Sequence, residues 1–151
     1  MDKIPRRPDL PPPLADWFAA RGWRPRPHQL AVLQRAWAGH SVLLTAPTGG
    51  GKTLAGFLPS LCDLMGDAGA AQRNDRLHTL YLSPLKALAV DVRRNLEAPI
   101  AEMAVPIRVE SRTGDTPQSR RQRQRRKPPH ILLTTPEQLA LLLSYRDAAK
   151  Y

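Results

Sequence analysis

The residues best equipped for chemistry lie at positions 45–53, TAPTGGGKT, directly behind the apolar run SVLL. Glycine loses more conformational freedom on folding than any other residue, so three in succession mark backbone that needs that freedom. A lysine and a threonine close the stretch in the spacing of a phosphate-binding loop, with Ala46 where that pattern usually has its first glycine. In such a loop the peptide N–H groups, here those of Thr48, Gly49, Gly50 and Gly51, join the N-terminus of the next helix in facing a polyphosphate. Lys52 is then placed for the β- and γ-phosphates and Thr53 for Mg²⁺. The alternative is a plain strand-to-helix turn carrying a surface lysine; the spaced glycines of a dinucleotide fingerprint are not present. The stretch is expected to bind a nucleoside triphosphate.

A loop of this kind needs a strand before it and a helix after it. SVLLTA, residues 41–46, is expected as a short strand, and Leu54, Phe57, Leu58, Leu61 and Met65 recur at helical spacing behind the glycines. Upstream, Leu14, Trp17 and Phe18 share a helical face that Gly22 terminates, and a second helix over about 28–37 is expected to bury Leu30, Leu33 and Trp37. Residues 67–75, DAGAAQRND, read as a flexible surface loop. Downstream, the strands LHTLYLS (77–83), VPIRVES (105–111) and HILLTT (130–135) alternate with helices. Leu85, Leu88, Ala89, Val92 and Leu96 mark the first of these, an arginine-rich segment the second, and PEQLALLLS (136–144) the third. Apolar strands buried on both faces and alternating with helices predict an α/β fold with a parallel sheet. The proline-rich residues 1–13 read as an extended lead-in to a domain over 14–151.

The 151 residues carry 23 basic and 13 acidic side chains, a formal charge of +10. Residues 1–75 hold 9 basic and 6 acidic groups and residues 76–151 hold 14 and 7, so the excess points to a polyanionic partner for the second half. A membrane does not fit: there is no long apolar span and no basic amphipathic helix with aromatic anchors. Cys62, the only cysteine, allows no internal disulfide and stands one helical turn from Leu58 and Met65, as a buried small hydrophobe in a reducing, cytoplasmic compartment would. The N-terminal residues lack the apolar core of a secretory signal. His28, His40, His78 and His130 show no metal-ligand spacing.

Several ordered segments together carry a resemblance. GWRPRPHQ (22–29), the phosphate loop with its Pro47 and Thr48, YLSPLKALAVDVRRNL (81–96), and SRTGDTP (111–117) followed by ILLTTPEQLALLL (131–143) are similar to the first motor domain of superfamily-two DEXH-box helicases. Within these, SPLKALAVDV, RTGDT and TTPEQL resemble the Lhr (large helicase-related) family, and in particular its bacterial ligase-associated branch. The resemblance spans nearly all of the chain from Leu14 onward and implies a RecA-like ATP-binding domain. It further implies ATP and Mg²⁺ as cofactors, 3′-to-5′ translocation on single-stranded DNA with RNA left open, and a role in DNA repair beside a ligase or nuclease. Gln29 would read the adenine edge, where a bidentate amide meets one donor and one acceptor; by its position alone it is an ordinary residue of a helix N-terminus. Pro84, Leu85 and Lys86, then Arg112, Gly114 and Asp115, then Thr135 and Pro136, would contact the nucleic acid. The role of Trp23 stays open between core and base packing.

Hydrolysis needs one carboxylate on Mg²⁺ and another to orient water. The helicases supply both from a strand ending in Asp-Glu-x-His, and no Asp-Glu pair occurs in these 151 residues, so the expectation is the N-terminal part of a longer motor. A nucleic-acid-binding module with a non-catalytic phosphate loop is the alternative. The last feature is RRQRQRRK, residues 120–127, with six basic side chains in eight positions. It reads either as a solvated helix or as a source of phosphate contacts, with Arg121, Arg125 and Arg126 as candidates.

Overall fold

A computed structural model of the chain describes residues 9–66 and 76–145. The polar loop expected over 67–75 and most of the proline-rich lead-in lie outside the described residues. The chain divides into two compact units, Met1–Ala68 and Gly69–Tyr151.

The first unit is helical. Helix α1, Pro12–Ala20, opens on prolines whose missing N–H costs nothing at a helix start, and it buries Leu14, Trp17 and Phe18 on one face. Gly22 follows with φ of 63°, the left-handed conformation that suits a glycine behind a helix end. Helix α2, Pro27–Trp37, buries Gln29, Val32 and Leu33. Trp37, expected inside, is 47% exposed because it closes the last turn of α2, and its indole N–H donates to Asp63 at 2.9 Å. Helix α3, Lys52–Met65, packs on α2 and buries Ala55, Phe57, Leu58, Leu61, Cys62 and Leu64. Burial, and secondarily the neighbouring Asp63 charge, pushes the Cys62 thiol up to about 12, so it stays protonated and inert.

The strand expected over 41–46 does not form. A strand exists only as part of a ladder, and among the described residues no chain pairs with this segment; Leu43 stands 91% exposed.

The second unit is a three-stranded parallel sheet with helices between its strands: β1 Thr79–Leu82, α4 Lys86–Glu102, β2 Val109–Arg112, α5 Gln118–Arg126, β3 Ile131–Thr134 and α6 Pro136–Leu143. The order is β1-β3-β2, and the register sets Leu82, Thr134 and Arg112 level at the carboxyl end. Only the central β3 is buried along its whole length. Outer strand β1 alternates half-buried and exposed residues, with Leu80 and Leu82 turned outward, so burial on both faces holds for β3 and not for β1. Parallel pairing gathers the loops after all three strands along one edge, where ligands of open α/β sheets bind.

Candidate nucleotide and nucleic-acid sites

The phosphate loop of the first unit turns on two glycines in the left-handed region, Gly49 at φ 77° and Gly51 at φ 76°. Between them the Gly50 N–H donates to the Pro47 carbonyl at 3.1 Å, and a Cβ on Gly50 would lie 2.9 Å from that same oxygen. All three glycines are therefore required by the curl of the loop. Lys52, first residue of α3, folds back so that its ammonium donates to the carbonyls of Ala46 at 2.6 Å and Pro47 at 2.8 Å. Thr48, Gly49, Lys52 and Thr53 are all exposed.

Gln29 is 3% exposed and fastens α2 to this loop. Its Oε1 accepts the Arg26 N–H at 2.8 Å, which caps the start of α2, and its Nε2 donates to the Gly51 carbonyl at 3.3 Å. Arg26 adds a contact that its position in the sequence did not advertise, from Nη1 to the Gly49 carbonyl at 3.4 Å. A cavity of about 440 Å³ opens beside Gln29 and Gly51, lined also by Phe18, Trp23 and Arg26. Trp23 is thus an exposed wall of a cleft rather than core, with Arg21 stacked 4.3 Å above the neighbouring Trp17 ring.

In the second unit the residues singled out from sequence meet at the carboxyl edge of the sheet. Ser83, buried behind β1, shapes the turn into α4: its hydroxyl donates to the Leu85 carbonyl at 3.1 Å and accepts the Leu85 N–H at 3.3 Å. That turn leaves Pro84, Leu85 and Lys86 exposed. The Lys86 ammonium then reaches across to the loop after β2, 2.9 Å from both carboxylate oxygens of Asp115 and 3.6 Å from where a Cβ on Gly114 would sit. Thr135 and Pro136 start α6, with Thr135 buried and Pro136 exposed. That helix start already faces an anion. Glu137 has its carboxyl held below the usual range by its own peptide N–H and then by the Thr135 hydroxyl.

Two arginines stand elsewhere than expected. Arg112 is 1% exposed, its Nη1 donating to the Arg121 carbonyl at 3.3 Å, so its guanidinium does not face solvent. It ends β2 level with Thr134, whose hydroxyl donates to the Arg112 carbonyl at 2.7 Å. Arg121 turns back on the loop before its own helix: Nε donates to Thr116 O at 2.8 Å, and Nη2 to Gly114 O at 2.6 Å and Thr113 O at 3.2 Å. Arg125 stacks on Tyr145, 4.1 Å above the ring. Arg123 pairs with Glu110 at 2.7 Å, and the wholly buried Gln124 donates to Glu110 at 2.9 Å and to the Ser111 carbonyl at 3.2 Å. Arg120 and Arg126 are exposed and, among the described residues, have no side-chain partner. Gln124 has no sequence signal that sets it apart: the charged run holds a second amide, Gln122, which is exposed.

Among the described residues no helix is long and apolar enough to cross a membrane, and no group of His, Cys, Asp or Glu side chains could hold a metal ion.

The sequence profile of the DEAD/DEAH box helicases matches residues 26–150. The chain is 39% identical over 145 residues to the ATP-dependent helicase Lhr-Core of Methanocaldococcus jannaschii, an alignment that takes in 89% of this chain and 17% of that protein. It is 40% identical over 149 residues to the Lhr helicase/uracil glycosylase of Escherichia coli, across 89% of this chain and 10% of that one. Among solved structures, the Mycobacterium smegmatis helicase Lhr bound to ssDNA and AMP-PNP matches with a TM-score of 0.81 and 36% identity, over 93% of this chain and 19% of that one. The chain therefore spans less than a fifth of the length of each of these relatives.

Proposed function

This chain belongs to the DEAD/DEAH box helicases and has their RecA-like α/β fold, and we propose that it grips ATP–Mg²⁺ and one DNA strand within an ATP-dependent DNA helicase of the Lhr type. Residues 14–151 would form the front part of that motor's first domain. One observation carries the nucleotide half of the reading. The loop around Gly49–Gly51 is curled so tightly that an ammonium group fits against its carbonyls, with α3 starting at its mouth. The donor set suits a triphosphate: among the described residues Lys52 is an exposed cation tied only to neutral carbonyls, and beside it α3 begins, where a helix leaves its first N–H groups without intrahelical partners.

In the nucleotide complex Lys52 would exchange Ala46 and Pro47 for the β- and γ-phosphates, and the exposed Thr53 hydroxyl would hold Mg²⁺, which neutralises phosphate charge when bound. Gln29 would face the base from the cavity it lines while keeping the loop in place through Gly51. Lys86, Gly114 and Asp115 would hold strand phosphates, and the ssDNA seen in the M. smegmatis relative supports DNA as the partner. The likeness of the SPLK, RTGD and TTPE segments to the ligase-associated branch supports a place in DNA repair, beside a ligase or nuclease in the cytoplasm. Cells that lack the gene and remain fully resistant to DNA damage would remove that part of the reading.

Titration calorimetry tests the core of it. Lys52→Ala removes a charge-assisted contact of about 1.5–3 kcal/mol and should weaken ATP–Mg²⁺ binding tenfold or more with an unchanged circular dichroism spectrum. With no Asp-Glu pair in the sequence, the 151-residue chain should bind nucleotide without releasing phosphate above background. Equal affinity for the variant would leave a nucleic-acid-binding module with a structural loop.

A further inference from the structure

Arg26 caps the start of α2, and its side chain lies across the phosphate loop. The stem passes 4.0 Å from where a Cβ on Gly51 would stand, and Nη1 donates to the Gly49 carbonyl at 3.4 Å. Gln29 takes the other end of the curl: its Nε2 donates to the Gly51 carbonyl at 3.3 Å, while its Oε1 accepts the Arg26 N–H at 2.8 Å. The two carbonyls held in this way belong to the two left-handed residues of the loop, Gly49 at φ 77° and Gly51 at φ 76°. Left-handed backbone is open to glycine, but so are many other conformations, and a glycine does not stay in one of them unaided. Every conformation that a free loop visits is given up when phosphates bind, and that loss lowers the affinity. A loop already fastened loses less. Arg26 is exposed and lies outside the buried face of α2, which consists of Gln29, Val32 and Leu33, so its side chain can be changed without opening that face.

We propose that Arg26 is a positioning residue for triphosphate binding: by holding the Gly49 carbonyl while Gln29 holds that of Gly51, it keeps the phosphate loop in its curl before a nucleotide arrives. This deepens the reading of the loop as a triphosphate site and rests on it. The glycines make the curl possible, and Arg26 makes it persist. Arg26 acts through the loop and not on the nucleotide, although it lines the same cavity as Gln29. Glutamine in its place would keep an N–H donor, but its amide nitrogen ends at the level of the guanidinium Nε and falls short of Gly49.

The test is calorimetric titration of the full 151-residue chain and of Arg26→Gln with ATP–Mg²⁺ and with inorganic tripolyphosphate–Mg²⁺, joined to ¹⁵N relaxation of the Gly49, Gly50 and Gly51 amides without nucleotide. Positioning predicts that Arg26→Gln weakens both ligands by the same factor, roughly three- to tenfold, because the loop serves the phosphates whether or not a base is attached. It also predicts that the three glycine order parameters, near the rigid-backbone value of about 0.85 in the wild type, fall toward about 0.6 in the variant. A contact with the base would weaken ATP and leave tripolyphosphate untouched. A contact with phosphate would weaken both and leave the order of the nucleotide-free loop unchanged. Either result overturns the proposal, as do unchanged affinities for both ligands. Relaxation of the wild type alone gives a measurement that no misfolded variant can obscure: glycine order parameters already below about 0.6 would show a loop that nothing holds, and overturn the proposal. If Lys52→Ala loses affinity and Arg26→Gln does not, the triphosphate site stands and the proposal falls. A wild-type chain that binds neither ligand overturns the proposal together with the reading of the loop.

Discussion

The two units each hold out a lysine beside a glycine turn, and the two lysines rest on different partners. Lys52 sits on the neutral carbonyls of Ala46 and Pro47, while Lys86 sits on the carboxylate of Asp115. A carbonyl parks a cation without cancelling its charge, so the phosphate loop keeps a full positive charge ready for a triphosphate. A carboxylate cancels the charge until a phosphate displaces it, so the sheet edge holds its lysine in competition. The turns themselves differ in the same sense. The phosphate loop is shaped by its own glycines, Gly49 and Gly51, whereas the turn at Gly114 is shaped from outside by Arg121. A site built from local backbone conformation can be broken by one methyl group; a site built by a distant side chain can be broken without touching it.

The sharpest break is Gly51→Ala. The residue has φ of 76°, and the added Cβ would meet Gln29 Nε2 at 2.7 Å. Gln29 has little room to yield, because its amide is bonded at both ends to Arg26 and to Gly51 itself. Left-handed backbone for a non-glycine residue costs on the order of 1–3 kcal/mol, and the displaced Gln29 adds to it. ATP–Mg²⁺ affinity should fall at least tenfold and the melting temperature should drop, read by calorimetry and thermal circular dichroism. Gly114→Ala, at a turn with ordinary φ and only Lys86 nearby at 3.6 Å, should leave the melting temperature close to wild type. Equal losses from the two glycines would erase the distinction between an internally and an externally shaped turn.

A smaller effect separates the structural arginines from the solvated ones. In the run at 120–127, Arg121, Arg123 and Arg125 are engaged by the loop after β2, by Glu110 and by Tyr145. Arg120 and Arg126 are exposed without a side-chain partner among the described residues, so they are the members of the run best placed to meet a polyanion. Changing both to glutamine should lower the salt slope of single-stranded DNA binding by roughly 0.7–1.4, equally for any base sequence. An unchanged slope would return the run to a solvated face.

This sorting was not open to the sequence, and the reason is physical. Where the determinants are local, the reading carries through to the structure: three glycines before a lysine imply a curled loop, and Leu14, Trp17 and Phe18 at helical spacing imply one buried face. Parallel strands alternating with helices follow from the same periodicities. An arginine has no such local signature. Whether it binds a phosphate, a carbonyl or a ring depends on which acceptor the fold brings within its long reach: Arg112 finds the Arg121 carbonyl in α5, and Arg121 finds the carbonyls of the loop after β2. Residues 41–46 fail in the other direction. Their apolar pattern announces a strand, but pairing is supplied by a neighbour, and the described residues supply none.

The gentlest test addresses the competition at Lys86. Asp115 presents both carboxylate oxygens to the Lys86 ammonium at 2.9 Å, and the two side chains are 78% and 54% exposed. An ion pair this exposed is worth at most about 1 kcal/mol, because water screens it and two long side chains must be held in place. Asp115→Asn keeps the size of the side chain but removes the carboxylate that occupies the lysine. Single-stranded DNA affinity should therefore rise, by up to about fivefold, and the salt slope should steepen by about 0.7 as Lys86 gains a phosphate of its own. The corresponding effect cannot be produced in the phosphate loop, where the partners of Lys52 are backbone carbonyls that no substitution removes. A loss of affinity in Asp115→Asn would mean that the carboxylate orders Lys86 for the strand instead of competing with it, and the two lysines would then be held ready by the same principle.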